Sequence, residues 1–259
     1  MRNPETVLAA GLTSKESLVT AAADEVRSMI LRGELPPGLH IVENAIALRF
    51  GVSQGTIRAA LHILVHEGLL EIKPRRGCFV KRFSSRDATE IYTLRNALES
   101  LAARGAAENM SKAERHSLKK CVAAMKKSID SGDLMSFIKT DFEFHQIIVA
   151  GSGHARLQAV YHGLATQTRF FMLNAVGDLP PTFLDGMYTL HQSLAEAVVK
   201  GEAEEAGQLA SVHNKGTGEA LAGLLADRDR KSAFVSTGSL SELRAEVRPS
   251  ARKAGAALR

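Results

Sequence analysis

Asp141, His145, His191 and His213 are the residues of this 259-residue chain whose types and spacing could hold a metal ion. On a helix expected from Asp133 to Ala150, Leu134, Ile138, Asp141, His145 and Ile148 recur at spacings of three and four, so Asp141 and His145 face inward together. His191 shares a stripe with Met187, Leu194 and Val198, and His213 one with Ala206, Leu209 and Ala220. A turn near Gly201 makes these last two helices antiparallel. His191 stands ten residues before it and His213 twelve after, roughly 15 and 18 Å away at about 1.5 Å per residue, so the two imidazoles meet at one level. A carboxylate with three imidazoles is a ligand set for Zn, Ni or Mn. Taken singly, each His reads as a hydrogen-bonded core residue and Asp141 as an ion-pair partner of His145. Four coincident intrusions into apolar faces favour a shared ion. The same set could activate water for hydrolysis, yet no general base or nucleophile motif accompanies it.

The elements that must position these residues are mostly helical. Apolar residues keep helical spacing from residue 86 onward, over expected helices at 86–108, 112–130, 133–150, 154–175, 183–200 and 203–226. Their short loops favour an antiparallel six-helix bundle. Ser84 and Asp87 form a capping box that opens this second domain. The domains expected are a flexible N-terminus (1–16), a first folded domain (17–83), a helical domain holding the candidate ligands (84–226) and a flexible basic tail (227–259). The two cysteines, Cys78 and Cys121, fit neither a disulfide framework nor a metal pair. No apolar run nears the roughly 20 residues of a membrane span, and no signal peptide is evident, so a cytoplasmic protein is expected. A net charge of +5 permits an anionic partner without requiring one.

In the first domain, Leu18, Ala22, Val26, Met29 and Ile30 make one apolar stripe and Ile46, Ala47 and Phe50 another. Gly51, Val52 and Ser53 form a tight turn, with Ser53 as N-cap of a helix from Gln54 to Glu67. That helix turns Ile57, Ala60, Leu61 and Leu64 inward. Gln54, Thr56 and Arg58 are expected on its opposite face, where a recognition helix meets base edges and phosphates. The segments LLEIK and GCFVKRF read as two strands joined by Pro74, Arg75, Arg76 and Gly77. This is a wing with a cationic tip, and Gly77 lets it approach the duplex closely. The fold expected is mostly α: an N-terminal winged helix-turn-helix followed by the helical bundle.

The text from Ile30 to Gly38, followed by IALRFGVSQGTIRAALHILVHEGLLEIKPRRGCFV, resembles the N-terminal domain of the GntR family of bacterial regulators. The resemblance implies a DNA-binding transcriptional regulator, homodimeric on a double-stranded operator, and not an enzyme. Two arginines common in that family are replaced, by Gln54 on the recognition helix and by Asn44 on the helix before it, whereas Arg58 keeps its place. Asn and Gln pair well with adenine edges, so an operator departing from the family's usual one is expected. DFEFH, YTLHQSLAEAVVKGE and LASVH, carrying Asp141, His145, His191 and His213, resemble the metal-ligand segments of the FCD effector domain in FadR-like GntR regulators. Arg95 matches an arginine of that domain's first helix. Its partner is expected to be Asp141, an effector carboxylate or a structural acid. Arg169 and Asn174 are weaker effector-binding candidates. The resulting expectation is a regulator whose operator binding responds to a small carboxylate held at a divalent metal, with the metal itself as signal, or a metal-dependent hydrolase, as alternatives.

Overall fold

The computed structural model describes residues 15–175 and 178–246. The N-terminal domain is built from α1 (Lys15–Leu31), the two-residue strand β1 (His40–Ile41), α2 (Glu43–Phe50), α3 (Gln54–His66), β2 (Leu70–Lys73) and β3 (Gly77–Val80). The strands form an antiparallel sheet in the order β1-β3-β2, with His40 opposite Phe79 and Lys73 opposite Gly77. β1 escaped the sequence reading because two residues carry no periodicity. The turn between α2 and α3 relies on Gly51 at φ 67°, a left-handed conformation that costs glycine nothing. Ser53 then caps α3, its hydroxyl accepting from the Thr56 amide at 3.1 Å. Val26, Ile30, Ile57, Leu64, Leu69 and Val80 fill the core beneath the three helices.

The second domain comprises α4 (Ser85–Asn109), α5 (Lys112–Ser131), α6 (Leu134–Gly151), α7 (Ala155–Ala175), α8 (Pro181–Lys200) and α9 (Ala203–Glu246). A capping box at Ser84 and Asp87 opens α4, where the sequence placed the domain boundary. A second box, at Ser111 and Glu114, opens α5. Small residues of α4, Ala102, Ala103, Ala106 and Ala107, are buried and let its neighbours approach closely. The aromatic and aliphatic side chains of α6, α7 and α8 fill the remaining core.

One boundary differs markedly from that expected. α9 continues to Glu246, some twenty residues beyond the helix end at 226 and through much of the segment read as a flexible tail. Its apolar periodicity fades after Leu225, but the Ala, Leu, Glu and Arg residues that follow are good helix formers. The rest of that tail, 247–259, and most of the N-terminal segment 1–16 lie outside the described residues. No helix among the described residues is long and apolar enough to cross a membrane.

Candidate metal centre and nucleic-acid interface

Asp141 and His145 lie one turn apart on α6, His191 comes from α8 and His213 from α9. All four are buried. One ligand atom from each lies within 4.8 Å of the others. The His191 and His213 rings are 4.3 Å apart between centroids, and His145 is 5.1–5.2 Å from both. The antiparallel pairing of α8 and α9 about Gly201 thus brings the two imidazoles to one level, as their spacing predicts.

Hydrogen bonding outside this cluster fixes what its atoms can do. His145 Nδ1 donates to Glu99 Oε2 at 2.9 Å, and His191 Nδ1 lies 2.7 Å from the Met187 carbonyl, which can only accept. Each ring therefore carries its proton on Nδ1 and turns a lone pair of Nε2 inward. His191 Nε2 then lies 3.1 Å from Asp141 Oδ1 and 3.3 Å from His145 Nε2. Neither ring nitrogen of His213 has a hydrogen-bond partner, nor does Asp141 Oδ1. Acceptor atoms facing one another in a dry interior repel unless a cation lies among them. The donor set fits a divalent ion.

Electrostatics reinforce this state. Burial opposes ionisation of Asp141, but His191 and His145 outweigh it and hold its carboxyl well below the usual range. Burial, the largest cause for each, lowers the His145 and His213 pKa values. An ionised carboxylate with neutral imidazoles is the form that binds metal.

Arg95 is buried as expected, but its partner is Glu99, one turn along α4, with Nε to Oε1 at 2.7 Å. This corrects the pairing with Asp141 considered from the sequence. Glu99 also accepts from Tyr161 Oη at 2.6 Å and Asn214 Nδ2 at 2.8 Å. Burial disfavours its charge, yet Arg95 and His145 hold its carboxyl well below the usual range. Glu99 was missed because a Glu one turn after an Arg looks like an ordinary surface pair. The apolar residues flanking it on the same face were the available signal.

Arg95, Asp141, His145, Tyr161, Thr168 and Arg169 are among the residues around a narrow cavity of about 10 Å³, room for roughly one water. Arg169 has no acidic partner among the described residues, and its buried Nε makes no hydrogen bond. Asn174 does not reach this cavity. It donates to the Phe170 carbonyl one turn back and borders a groove with Arg82, Phe83 and Arg228 where the two domains meet.

On the first domain, Ser53, Gln54 and Arg58 are exposed at the start of α3, with Asn44 exposed on α2. Thr56 is not: it is buried, its hydroxyl 2.8 Å from Ser53 Oγ, so it belongs to the cap and not to the reading face. A polar residue two positions into a helix can serve either role, and packing decides. Glu43 of α2, another residue sequence reasoning missed, receives Gln54 Nε2 at 3.1 Å and Arg58 Nη2 at 2.9 Å. Arg75 and Arg76 are exposed at the wing tip, where Arg75 takes φ 61° and Gly77 φ 97°. Lys73 and Arg76 stand over the Phe79 ring at 4.9 and 5.9 Å. Away from both sites, burial pushes the Cys78 thiol up to about 11 and the Cys121 thiol to about 12, leaving both as packing groups.

A winged helix-turn-helix with a cationic reading edge, joined to a helical domain around a buried Asp and three His, is the architecture of a DNA-binding protein with a separate second domain. Residues 18–80 match the model for bacterial regulatory proteins of the gntR family, and residues 90–216 match the FCD domain. The probable D-xylose utilization operon transcriptional repressor of Paenarthrobacter nicotinovorans is 30% identical over 78% of this chain and 89% of its own length. The gluconate operon transcriptional repressor of Bacillus subtilis is 30% identical over 62% of this chain and 65% of its own. Among solved structures, a GntR regulator of Rhodococcus sp. RHA1 superposes with a TM-score of 0.70 at 22% identity, covering 80% of this chain and 98% of that one. E. coli McbR/YncC gives 0.68 at 20%, covering 81% and 98%. The chain belongs to the GntR family: it is a DNA-binding transcriptional regulator with an FCD effector-binding domain, and not an enzyme.

Proposed function

We propose that operator binding by this regulator is controlled through a divalent ion held by Asp141, His145, His191 and His213, with a small organic acid as effector. The observation that carries the reading is the convergence of three acceptor atoms, His145 Nε2, His191 Nε2 and Asp141 Oδ1, with no proton between them and the unpartnered His213 ring beside them. A bound divalent ion offers a carboxylate oxygen a Lewis-acidic position. Arg169 supplies the charge for the rest of the acid, because Arg95 is already neutralised by Glu99. Zn, Ni and Mn all suit the donor set.

The effector acts by favouring one placement of the DNA-binding domain over another. Gln54, Arg58 and Asn44 read the major groove while Arg75 and Arg76 follow the backbone, Gly77 allowing close approach and Ser53 fixing the start of the helix. We further propose a homodimer on a two-fold operator. Its support is a pair of exposed leucines seven residues apart on α4, Leu94 and Leu101, which a second copy can cover.

The test is chelation, reconstitution with Zn²⁺, Ni²⁺ or Mn²⁺, and titration of hydroxy acids beginning with gluconate, reading affinity for an operator obtained by binding-site selection. Metal-dependent acid sensitivity supports the reading. An apo protein that responds equally well removes the metal role. One observation favours a second reading, in which the ion itself is the signal: the cavity has room for about one water and none for an acid. A full response to metal alone, unchanged by acid, selects it.

A further inference from the structure

The cavity beside the candidate ligands has room for about one water, so a larger occupant must move one of its walls. Half of its ten lining residues come from α7, among them Tyr161, Ala165, Thr168, Arg169 and Met172. These recur at spacings of three, four and one, which places them on a single helical face. Roughly half a turn round the same helix, at about 100° per residue, lie Gln167 and Phe170.

That opposite face belongs to the DNA-binding domain. Phe170 is 1% exposed and packs in the core of the winged helix, although it lies in the second domain by sequence. Phe83, in the connection between the domains, holds both Phe170 and Phe171 with ring centroids 5.6 Å away. Gln167 Nε2 donates to the Glu67 carbonyl at 2.9 Å. Glu67 is the C-cap of the recognition helix α3, and its carboxylate clamps Arg27 of α1 through two further hydrogen bonds. The Gln167 amide also fills the space beside Gly68, where a Cβ would come within 2.6 Å of it.

We propose that α7 carries the state of the metal cavity to the DNA-binding domain, with Gln167 the positioning residue through which the end of the recognition helix receives it. The proposal rests on the reading of that cavity as a ligand site. Displacement of the cavity face of α7 carries the Gln167 amide with it, because a helix moves as a unit. The Glu67 carbonyl, Gly68 and the start of β2 then follow or lose their partner.

A ligand-free test uses a double-mutant cycle. Ala165→Leu adds three carbons where the cavity offers room for one water, so α7 must shift. The readouts are operator affinity and amide exchange over residues 63–69, measured in the full chain, in Ala165→Leu, in Gln167→Leu and in the double variant. The expected result is that Ala165→Leu changes both readouts and that the change is largely lost when Gln167→Leu is also present. Equal changes with and without the Gln167 amide overturn the proposal, as does a folded Ala165→Leu that leaves both readouts unmoved. Should Ala165→Leu fold poorly, Ala165→Val applies a smaller push to the same wall. A non-additive cycle in a protein that ignores Zn²⁺ with gluconate would keep the relay and reject the acid reading, so the two fail separately.

Discussion

The Glu99 carboxylate accepts the Nδ1 proton of His145 at 2.9 Å, with both side chains 3% exposed. One buried acid therefore fixes which face of a metal-directed imidazole is bare, while neutralising the buried Arg95 beside it.

Replacing that acid separates its two roles. Glu99→Gln should lower metal affinity about 10- to 100-fold, the usual cost of losing a carboxylate behind a histidine ligand. It should also destabilise the protein by about 3–5 kcal/mol, since Arg95 is left buried and unpaired. Adding Arg95→Met should restore much of the stability but not the metal affinity. Competition with a chromophoric chelator and thermal unfolding of the apo protein measure the two effects.

Arg169→Met should abolish the acid response while metal affinity stays within about twofold, because Arg169 lines the cavity without joining the ligand cluster. Isothermal titration with Zn²⁺, then with gluconate or the acid found by screening, reads each step. Loss of metal binding in this variant would place Arg169 in the ligand scaffold instead.

Glu43 puts a negative charge beside Gln54 and Arg58 on the DNA-reading edge, where phosphates would repel it. Its value must lie in orienting the two. Glu43→Gln should raise affinity for random duplex and steepen the salt dependence, yet reduce the ratio of specific to non-specific binding. Arg58→Ala, by contrast, should abolish specific binding. Anisotropy titrations with operator and random DNA at several salt concentrations distinguish the two.

Acid should destabilise the chelated protein early. His145 and His213 have folded pKa values held below the ordinary imidazole value of about 6.5, first by burial, so the unfolded chain takes up their protons before the native one does. Their contribution is fully present above about pH 6.5 and is lost as pH falls through the depressed folded values, at up to about 1.4 kcal/mol per pH unit for each. Glu99 and Asp141, also depressed, add a further loss once the pH falls below the ordinary carboxylate values of about 4.5 and 3.8. Denaturant midpoints between pH 8 and pH 4 should be level at first and then fall. A midpoint that rises on acidification contradicts the neutral-imidazole assignment.

The helical stripes, caps and turns were legible because each depends on residues a few positions apart. Asp141 with His145, and His191 with His213 about Gly201, needed only a helical period and one turn. The same local information could not decide whether Thr56 faces DNA or its own cap, because both options satisfy its hydroxyl and packing chooses between them. It also could not show where Asn174 lies, since a polar residue in an apolar helix can face either of two neighbours.

By itself, then, the sequence determined the two domains, the reading helix with its wing, and the four side chains that could share an ion, all through local periodicity and spacing. Only the tertiary structure decided that Glu99 and not Asp141 answers Arg95, that Glu43 holds Gln54 and Arg58, and that α7 lines the cavity beside the Asp/His cluster on one face and meets the end of α3 on the other. Glu99 and Arg95 are local in sequence, but their burial is not. Ion pairs and hydrogen bonds gain their strength from desolvation, and desolvation is set by every element that packs around them.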